Sequence, residues 1–533
     1  MTWTATQPSL TCATTVHELL AEQVAADPER RFLSFEERHF TRREFQERSR
    51  ATAAALHSLG LGRGDRIALM LSNRPEFMFL WFGCSILGAV EVPVNTGQKG
   101  ELLRYVLEQA KCRALVAETA FWAQLEPVIE RASSLELAIF LDGVPQHRGR
   151  VQVTGFEALP TTSAPPDQQL GGDAPHAIMF TSGTTGPSKG AMMPHSFPLV
   201  VGEITARNAG YTHDDVLYNA LPLFHGNAQF LSTIPALLSG ARLVLARRFS
   251  ASQFWNDIRA NGCTEFNYIG SIIPILMKAA PSPADRDHAV RVMVGAGAPK
   301  DLFRPFERRF GVRLIEGYGM SEIGIPLQTM SDDTPPGSCG TQHPWYDIRL
   351  VNDAGEEAAD DEPGELLVRP KIPGAMMLEY FGMAEQTVEA WRDLWFHTGD
   401  YLRRDADGYY WFIDRKKDAL RRRGENISSW EVEKIITAHP DVLECAAIAV
   451  PAELGEDEVM VCVAPRAGLM LEPARLAEWC QERMASFMVP RYIRVMPALP
   501  KTATERVQKF ELRRQGVTAD TWDRTPPAAT ERT

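Results

Sequence analysis

The first 400 or so residues alternate between segments with a helical pattern and short runs of β-forming residues. Helices are predicted near VHELLAEQVAA (16–26) and at FMFLWFGCSILGAV (77–90), the second without a charged residue and therefore buried. Strands are predicted at RIALML, EVPVN, CRALVAE and AIFLDG. Strands that alternate with helices imply right-handed βαβ crossovers and mainly parallel sheets. The sequence therefore predicts an α/β fold, with two βαβ lobes of similar design.

A chain of 533 residues is too long for one ordinary hydrophobic core, so a large and a small domain are expected. The stretch 159–176 is rich in Pro, Ser, Thr and Gly and predicts a surface connection into a strand at AIMF. Within 412–440 a strand ends, a very basic polar turn follows, and a helix begins at SSWEVEKII with a Ser cap and an acidic first turn. We therefore expect a large N-terminal domain over 1–415 and a small mobile α+β domain over 416–533, with a hinge near Lys417.

Composition and charge exclude several classes of partner. The net charge of −12 argues against nucleic acid and anionic membranes. The eight cysteines lack CxxC spacing, which argues against a zinc site or a disulfide framework and favours a reducing compartment. No secretory signal is recognisable, and the longest uncharged apolar stretch is shorter than the roughly 20 residues of a spanning helix. A cytoplasmic protein is expected, with a frayed tail after about residue 518.

The segment TSGTTGPSKG (181–190) follows the predicted strand AIMF. Its glycines let backbone N–H groups approach a ligand closely, and its hydroxyls and lysine add further donors. Such a set predicts a phosphate-binding loop. It is not a Walker A loop, because Ser188 and not Gly precedes Lys189. The predicted phosphate-binding residues are Thr181, Ser182, Gly183, Thr184, Thr185, Gly186 and Lys189.

The same segment resembles the phosphate-loop signature of the adenylate-forming superfamily, which includes acyl-CoA synthetases, luciferases and the adenylation domains of peptide synthetases. Further motifs of that superfamily follow in order: LPLFHGNAQ (221–229), GAGAP (295–299), EGYGMSE (316–322), WFHTGD (395–400) and FIDRKKD (412–418). The resemblance covers almost all 533 residues. GYGMSE and GENISSWEVE look closest to the crotonobetaine/carnitine-CoA ligase branch, so the resemblance implies an acyl-CoA ligase.

The resemblance implies two half-reactions. A carboxylic acid first reacts with ATP to form an acyl-adenylate, and CoA then displaces AMP to form a thioester. The implied cofactors are ATP or an acyl-adenylate, CoA and Mg²⁺, with Thr184 and Glu322 as metal ligands. Tyr318 would offer a face to adenine, and Asp400 with Arg415 would bind the ribose. The catalytic residues implied are His225, Glu322 and Arg506. The other implied nucleotide-binding residues are Gly297, Ala298, Pro299, Glu316, Gly317, Gly319, Met320, Ser321 and Phe412.

The sequence predicts the acid and the CoA contacts in less detail than the nucleotide-binding residues. Adenylation domains that take amino acids place an aspartate in the LPLFHGNAQ region, where this chain has Gly226, so an amino acid is not expected. The acyl pocket has room for an acid bulkier than acetate. Its predicted residues are His225, Asn227, the segment FNYIGS (266–271) with Tyr268, Ile269 and Gly270, the GAGAP residues Gly295 and Ala296, and Gly324 and Ile325. The basic run 415–424 suits the phosphates of CoA. The residues predicted there are Arg421, Arg422, Arg423, Gly424 and Glu425.

One motif departs from the superfamily, which places a catalytic lysine in P-K-T-x-T-G-K. This chain reads PKTATERVQK (500–509), with Glu505 for the glycine and Arg506 for the lysine. A guanidinium does not replace an ammonium conservatively at a packed site. Three hypotheses follow: a complete ATP-dependent ligase, a ligase that uses acyl-adenylate from a separate adenylating enzyme, and a non-catalytic AMP- or acyl-adenylate-binding protein. A homodimer is also left open.

Overall fold

The computed structural model of the chain describes residues 9–159, 168–181, 187–330, 333–352, 354–415, 419–422, 425–452, 457–466, 468–501 and 507–524. The chain divides into two compact units. Unit 1 comprises Met1–Thr96, Tyr105–Phe180 and Gly190–Lys416, and unit 2 comprises Gly97–Arg104, Thr181–Lys189 and Lys417–Thr533.

The helices are given in chain order. The α-helices are α1 Val16–Ala26, α2 Arg42–Ser58, α3 Pro75–Leu87, α4 Gly100–Gln109, α5 Trp122–Ile129, α6 Ser196–Ala209, α7 Ile234–Ser239, α8 Phe254–Asn261, α9 Ile272–Met277, α10 Lys300–Phe310, α11 Ala384–Ala390, α12 Ser429–Thr437, α13 Pro473–Arg483 and α14 Lys509–Gln515. A π-helix spans Asn227–Thr233, and short 3₁₀ helices span Thr119–Phe121, Phe156–Ala158, Pro283–Arg286 and Arg392–Leu394.

The strands up to the end of unit 1 are β1 Arg31–Phe35, β2 Arg38–Thr41, β3 Arg66–Met70, β4 Val90–Pro93, β5 Ala114–Glu118, β6 Leu137–Leu141, β7 Gln152–Gly155, β8 Pro175–Thr181, β9 Lys189–Pro194, β10 Val216–Asn219, β11 Arg242–Leu245, β12 Glu265–Ile269, β13 Val292–Ala296, β14 Arg313–Met320, β15 Gly324–Gln328, β16 Thr341–Gln342, β17 Tyr346–Val351, β18 Gly364–Pro370, β19 Glu379–Tyr380, β20 Phe396–Arg404 and β21 Tyr410–Arg415. The remaining strands are β22 Ala419–Arg422, β23 Glu425–Ser428, β24 Val442–Pro451, β25 Asp457–Pro465, β26 Tyr492–Val495 and β27 Trp522–Asp523.

Unit 1 contains two large sheets, as the alternating pattern predicts. One has nine strands in the order β16-β15-β14-β13-β12-β10-β11-β1-β2, and the other has eight in the order β19-β9-β8-β4-β3-β5-β6-β7. Pairing within the first is parallel from β1 through β11, β10, β12 and β13 to β14, and within the second from β8 through β4, β3, β5 and β6 to β7. A third sheet, antiparallel, has the order β17-β18-β20-β21. The α/β prediction is confirmed.

Local chemistry accounts for the first helices. α1 and α2 each begin with a capping box, Thr15 with Glu18 and Thr41 with Glu44. The predicted apolar helix is α3, which has eleven buried residues and begins at a proline. It ends earlier than the apolar run because Gly88 adopts a φ of 68°, after which the chain enters β4. In the part of the chain that the structure describes, no helix is long and apolar enough to cross a bilayer.

Unit 2 holds a sheet of order β24-β25-β26-β27 and a two-stranded hairpin, β22-β23. The hairpin corrects the prediction of a basic turn. Leu420 and Arg422 alternate inward and are buried, and the strand pairs with Glu425–Ser428. The predicted helix is α12; Ser428 occupies its N-cap position, but the side chain makes no capping hydrogen bond.

The predicted frayed tail after about residue 518 is also wrong in its first part. Trp522–Asp523 pairs with β26, and the Asp523 carboxylate accepts from Arg491 Nε at 3.1 Å. Trp522 packs against the core of unit 2, which explains why the chain is held there. All eight cysteines are free thiols.

Candidate active site

Tyr318 and Asp400 meet in the interior of unit 1. Tyr318 lies on β14 beyond the part that pairs with β13, and Asp400 lies on β20. Both side chains are buried, and the Tyr318 hydroxyl donates to Asp400 Oδ2 at 2.7 Å. Ligands of open α/β sheets bind beyond the carboxyl ends of the strands, which is where β13 ends and β14 turns to pair with β15. The structure therefore brings together the residues predicted for adenine and for ribose.

Two further predicted nucleotide residues lie on β21. Phe412 has an exposed fraction of 46%, and its ring lies 6.5 Å from that of Tyr318 at an interplanar angle of 27°. Arg415 is the register partner of Asp400 across the β20–β21 pair. The strand pairing of this small sheet thus places both positions beside the Tyr318–Asp400 pair.

Glu316 lies two residues before Tyr318 and is also buried. One of its carboxylate oxygens accepts from the Ala298 N–H at 2.6 Å and from the Tyr268 hydroxyl at 3.2 Å. Burial raises the pKa of Glu316 to about 7, against the opposing effect of those donors. The carboxyl therefore ties β14 to the end of β13 and to β12, and it can accept from an amine such as the exocyclic group of adenine.

The GAGAP strip depends on glycines that permit close backbone contact. A Cβ at Gly270 would lie 2.2 Å from the carbonyl oxygen of Gly297, and one at Gly295 would lie 2.3 Å from the carbonyl oxygen of Tyr268. Gly297 itself has a φ of +78°. Ala296 ends β13, and Pro299 precedes α10. The strip and the Tyr268–Gly270 segment therefore pass each other without intervening side chains.

Glu322 lies in the turn that joins β14 to β15 and is buried. The Tyr380 hydroxyl donates to Glu322 Oε1 at 3.0 Å. The same β14–β15 hairpin carries Gly317, Gly319, Met320, Ser321, Gly324 and Ile325. In the described ranges no cluster of three or more His, Cys, Asp or Glu side chains suits a metal ion. One carboxylate completed by phosphate oxygens and water is the shell that Mg²⁺ commonly takes, so Glu322 fits that ion.

The LPLFHGNAQ segment continues into the π-helix, a rare form that is frequent at functional sites. His225 is half-buried, with its ring 4.7 Å from that of Phe224. Asn227 Oδ1 accepts from Asn267 Nδ2 at 3.0 Å, and Gln229 Nε2 donates to Glu91 Oε1 at 2.7 Å. Buried polar contacts to β12 and β4 therefore fix the segment.

Burial raises the pKa of Glu91 to about 8, although the hydrogen bond from Gln229 opposes the shift. Glu91 is fully buried within β4, where a carboxylate lacks solvation. Its carboxyl is therefore largely protonated at neutral pH, and the hydrogen bond to Gln229 joins two uncharged groups.

The phosphate loop is described only at its ends. Thr181 ends β8 and Lys189 begins β9, while the predicted residues Ser182, Gly183, Thr184, Thr185 and Gly186 lie outside the described residues. Within unit 2, the N–H of Ser188 donates to Glu431 Oε1 at 3.1 Å, and its hydroxyl donates to the same oxygen. Glu431 is buried in the first turn of α12. A carboxylate thus accepts from donors of the loop that the sequence assigns to phosphate.

The predicted CoA set is contradicted at Arg422, whose side chain is only 4% exposed. Its Nη1 donates to the carbonyl oxygens of Phe487 and Val489, each at 3.0 Å, and its Nε lies 2.7 Å from Glu458. The Arg422 guanidinium is thus buried and paired with protein acceptors within unit 2. In the β22–β23 hairpin, Arg421 pairs in register with Asn426, and Arg422 pairs with Glu425. Arg423, Gly424, Lys417 and Arg506 lie outside the described residues.

A cavity of about 220 Å³ also reaches this region. It lies against α10 and the start of β14, with Phe303, Glu307 and Leu314 in its wall, and it touches Glu316 but neither Tyr318 nor Asp400. The cavity therefore borders the candidate site at Glu316 and does not extend to Asp400, the residue predicted to bind ribose.

Three contributing residues were missed from the sequence, and Asn267 was predicted only as part of the segment 266–271. Glu91 lies inside an apolar strand and belongs to no motif, and Tyr380 is remote in sequence from its partner Glu322. Glu431 had one available signal, the acidic first turn of the helix that was predicted correctly.

The whole chain resembles known enzymes. The AMP-binding enzyme family matches residues 20–381, and its C-terminal domain family matches residues 431–506. A crotonobetaine/carnitine–CoA ligase of Salmonella agona strain SL483 is 31% identical over 483 residues, which is 89% of this chain and 93% of that one.

Solved structures of CoA ligases and synthetases are also similar to this chain. That of the anthranilate CoA ligase AuaEII in complex with anthranoyl-AMP is 27% identical with a TM-score of 0.70, over 94% of this chain and 96% of the other. That of an o-succinylbenzoate CoA synthetase from Bacillus subtilis has a TM-score of 0.80 at 24% identity, over 93% and 98%, and supports the fold alone. The predicted superfamily and the predicted class, an acid–thiol ligase, are confirmed. The chain belongs to the AMP-binding enzyme family.

Proposed function

We propose that this protein is an ATP-dependent acyl-CoA ligase that forms its thioester through an acyl-adenylate. The observation that carries the proposal is the buried Tyr318–Asp400 pair with Glu316 beside it. It combines an aromatic face, an acceptor for two ribose hydroxyls and an acceptor for an adenine amine, three groups that a nucleoside needs together. Asp400, Glu316 and Glu322 are three buried carboxyl groups, each hydrogen-bonded to a neighbouring donor, and such a concentration of acceptors supports a ligand site here.

The first half-reaction would join the acid to AMP. A carboxylate oxygen of the substrate attacks the α-phosphorus of ATP, and pyrophosphate leaves with the electron pair of the broken P–O bond. Asp400 and Tyr318 would hold the nucleoside so that this attack is aligned, which is the main contribution that positioning makes to phosphoryl transfer. Bound at Glu322 and Thr184, Mg²⁺ would neutralise phosphate oxygens.

The second half-reaction would transfer the acyl group to CoA. The thiol sulfur attacks the acyl carbonyl carbon, the carbonyl–phosphate bond breaks, and AMP leaves while the thiol proton passes to solvent or to a base. His225, half-buried at the start of the π-helix, would face the acyl group in this step. With Arg422 engaged elsewhere, Arg421 and Arg423 remain the proposed contacts for the phosphates of CoA.

A second candidate function follows from Arg506, which stands where the superfamily places a lysine. A protein crippled in adenylation would still form thioester from acyl-adenylate supplied by another enzyme. The loss of one preorganised donor costs on the order of 3 kcal/mol, about 10²–10³ in rate, and would fall on the first half-reaction alone.

Two assays run in parallel separate these candidates. Pyrophosphate exchange into ATP measures adenylation, and thioester formation from synthetic acyl-AMP and CoA measures transfer. A complete ligase gives both, and thioester without exchange leaves only the transferase. If neither occurs while AMP binds, the protein is a nucleotide-binding protein without chemistry. Arg506→Ala should lower exchange by about 10²–10³-fold, whereas Arg514→Ala on exposed α14 should leave it unchanged.

The acid is to be found with a panel. Carnitine and crotonobetaine belong in it because the curated relative is named for them, and anthranilate because a solved relative holds anthranoyl-AMP. Neutral aliphatic and aromatic acids complete the panel, each offered with ATP and as a preformed adenylate.

A further inference from the structure

Asn267 is a fully buried amide in the middle of β12. It shares the register of the strand with Glu265 and Ile269, while Phe266 and Tyr268 alternate to the other face. Its Nδ2 donates to Asn227 Oδ1 at 3.0 Å and to Ser232 Oγ at 2.9 Å. Both N–H groups of Asn267 are thereby used, and both partners belong to the π-helix.

The π-helix explains how one amide reaches both partners. Asn227 and Ser232 are five residues apart, and a helix bonded from residue i to residue i+5 brings such residues onto one face. The hydroxyl of Thr233 also donates to the carbonyl of Ala228, five residues back, at 3.0 Å. Asn267 therefore bonds to two residues that the π-helical spacing brings onto one face, and it fixes the rotation of the Asn227 side chain.

This arrangement decides which end of the Asn227 amide is available. Its oxygen accepts from Asn267, so its nitrogen, with two N–H donors, points away from β12. Within the described ranges that nitrogen has no hydrogen-bond partner, and Asn227 is half-buried beside His225. A donor left in this position costs free energy unless water or a ligand accepts from it.

From these contacts we infer that the Asn227 amide nitrogen donates to an uncharged acceptor oxygen on the acyl group, and that the substrates are carboxylic acids bearing a second oxygen as hydroxyl, carbonyl or ether. The inference rests on the proposed function. No Asp, Glu, Lys or Arg is among the predicted pocket residues, so a second carboxylate or an ammonium on the acyl group would have no opposite charge there. Asn267 acts as a positioning residue behind Asn227.

The test compares acids that differ by one oxygen: 3-hydroxybenzoate with benzoate, and 4-oxopentanoate with pentanoate. For each pair, kcat/KM for thioester formation gives a preference ratio. The wild-type protein should prefer the oxygenated acid of at least one pair by about fivefold to tenfold, the range of one neutral hydrogen bond. Asn227→Ala should bring that ratio close to one by lowering kcat/KM more for the oxygenated acid than for the plain acid.

Controls separate the hydrogen bond from the fold. Asn227→Asp keeps the size of the side chain and removes its donors, so it should also abolish the preference; a retained preference in this variant would mean that the oxygen end is presented, against the inference. Asn267→Ala should reduce the preference, since Asn227 then rotates freely. Asn256→Ala, an exposed asparagine on α8, should leave it unaltered. Thermal melting verifies that each variant is folded.

The outcomes also distinguish this inference from the proposed function. If the plain acids form thioester but the wild type shows no preference in any pair, or if Asn227→Ala retains it, the inference is wrong and the ligase stands. If no acid and no acyl-adenylate yields thioester, the proposed function fails and the inference fails with it.

Discussion

The proposed nucleotide side of the site (Glu316, Tyr318, Glu322 and Asp400) and its proposed acid side (the π-helix with Glu91 and Asn267) are built differently. On the nucleotide side, Glu316 accepts from Ala298 and Asp400 accepts from Tyr318, all within motif segments, whereas Glu322 accepts from Tyr380, which lies outside them. On the acid side, the buried oxygens Glu91 Oε2, Gln229 Oε1 and Asn267 Oδ1 have no partner among the described residues. A nucleotide is common to the whole family, so a motif can encode the residues proposed to bind it, whereas the proposed acid side also includes Glu91 and Asn267, which lie outside the motifs.

The largest expected effect is that of Asp400→Asn on the nucleotide side. The amide keeps the size but loses the charged acceptor for two ribose hydroxyls, which we expect to lower kcat/KM for ATP by about 100-fold, on the order of 3 kcal/mol. Asp407→Asn, an exposed residue in the turn between β20 and β21, is the matched control and should stay within about twofold. Equal losses in both variants would place the ribose elsewhere.

Glu322→Gln should have the second-largest effect on activity. The amide still accepts from Tyr380, but it no longer offers a charge to Mg²⁺, so pyrophosphate exchange should fall by about 30-fold and recover in part as Mg²⁺ is raised. Glu379→Gln changes an exposed neighbour of Tyr380 on β19 and should have no effect. Exchange that is reduced equally at every Mg²⁺ concentration would argue against Glu322 as the ligand.

On the acid side, Glu91 predicts a dependence of stability on pH. The folded-state pKa, about 8, lies above the unfolded value, so the stabilisation is complete below pH 4.5 and is lost as the pH rises towards 8. Between pH 6 and pH 7 the free energy of unfolding should fall by about 1.4 kcal/mol more in the wild type than in Glu91→Gln. Urea unfolding at both pH values measures the difference.

Glu136→Gln, an exposed carboxylate that ends the loop before β6, is the control and should keep the wild-type slope. An equal slope in the wild type and in Glu91→Gln would mean that the buried carboxyl is ionised throughout, and the acid side would then hold a charge.

Tyr318→Phe should have the smallest effect. The ring remains for adenine and only the hydroxyl that donates to Asp400 is lost, so KM for ATP should rise by about fivefold with kcat little changed. If Tyr318→Phe lowered kcat/KM for ATP as much as Asp400→Asn, the hydroxyl itself would take part in the chemistry. Tyr318 would then be a catalytic residue and not only a positioning residue.

The same division explains what the sequence could predict. The hydrophobic pattern of the chain was enough to predict α1, α3 and the parallel strands, because such segments are defined by that pattern. The basic run was misassigned as a turn because the pairing of Arg422 with Glu458 and two carbonyls forms only after distant segments pack. Trp522–Asp523 was assigned to a frayed tail for the same reason, since Arg491 is remote in sequence. Asn267 lay within a predicted pocket segment, but its contacts could not be predicted, because they depend on a π-helical register that no propensity scale predicts.

The most direct measurement is a crystal structure with a non-hydrolysable acyl-adenosine sulfamate whose acyl group bears a hydroxyl or carbonyl oxygen. We expect the ribose hydroxyls on Asp400, the adenine ring against Tyr318 and the acyl oxygen within hydrogen-bond distance of Asn227. A nucleoside bound away from Asp400, or an acyl group that leaves the π-helix untouched, would contradict the account.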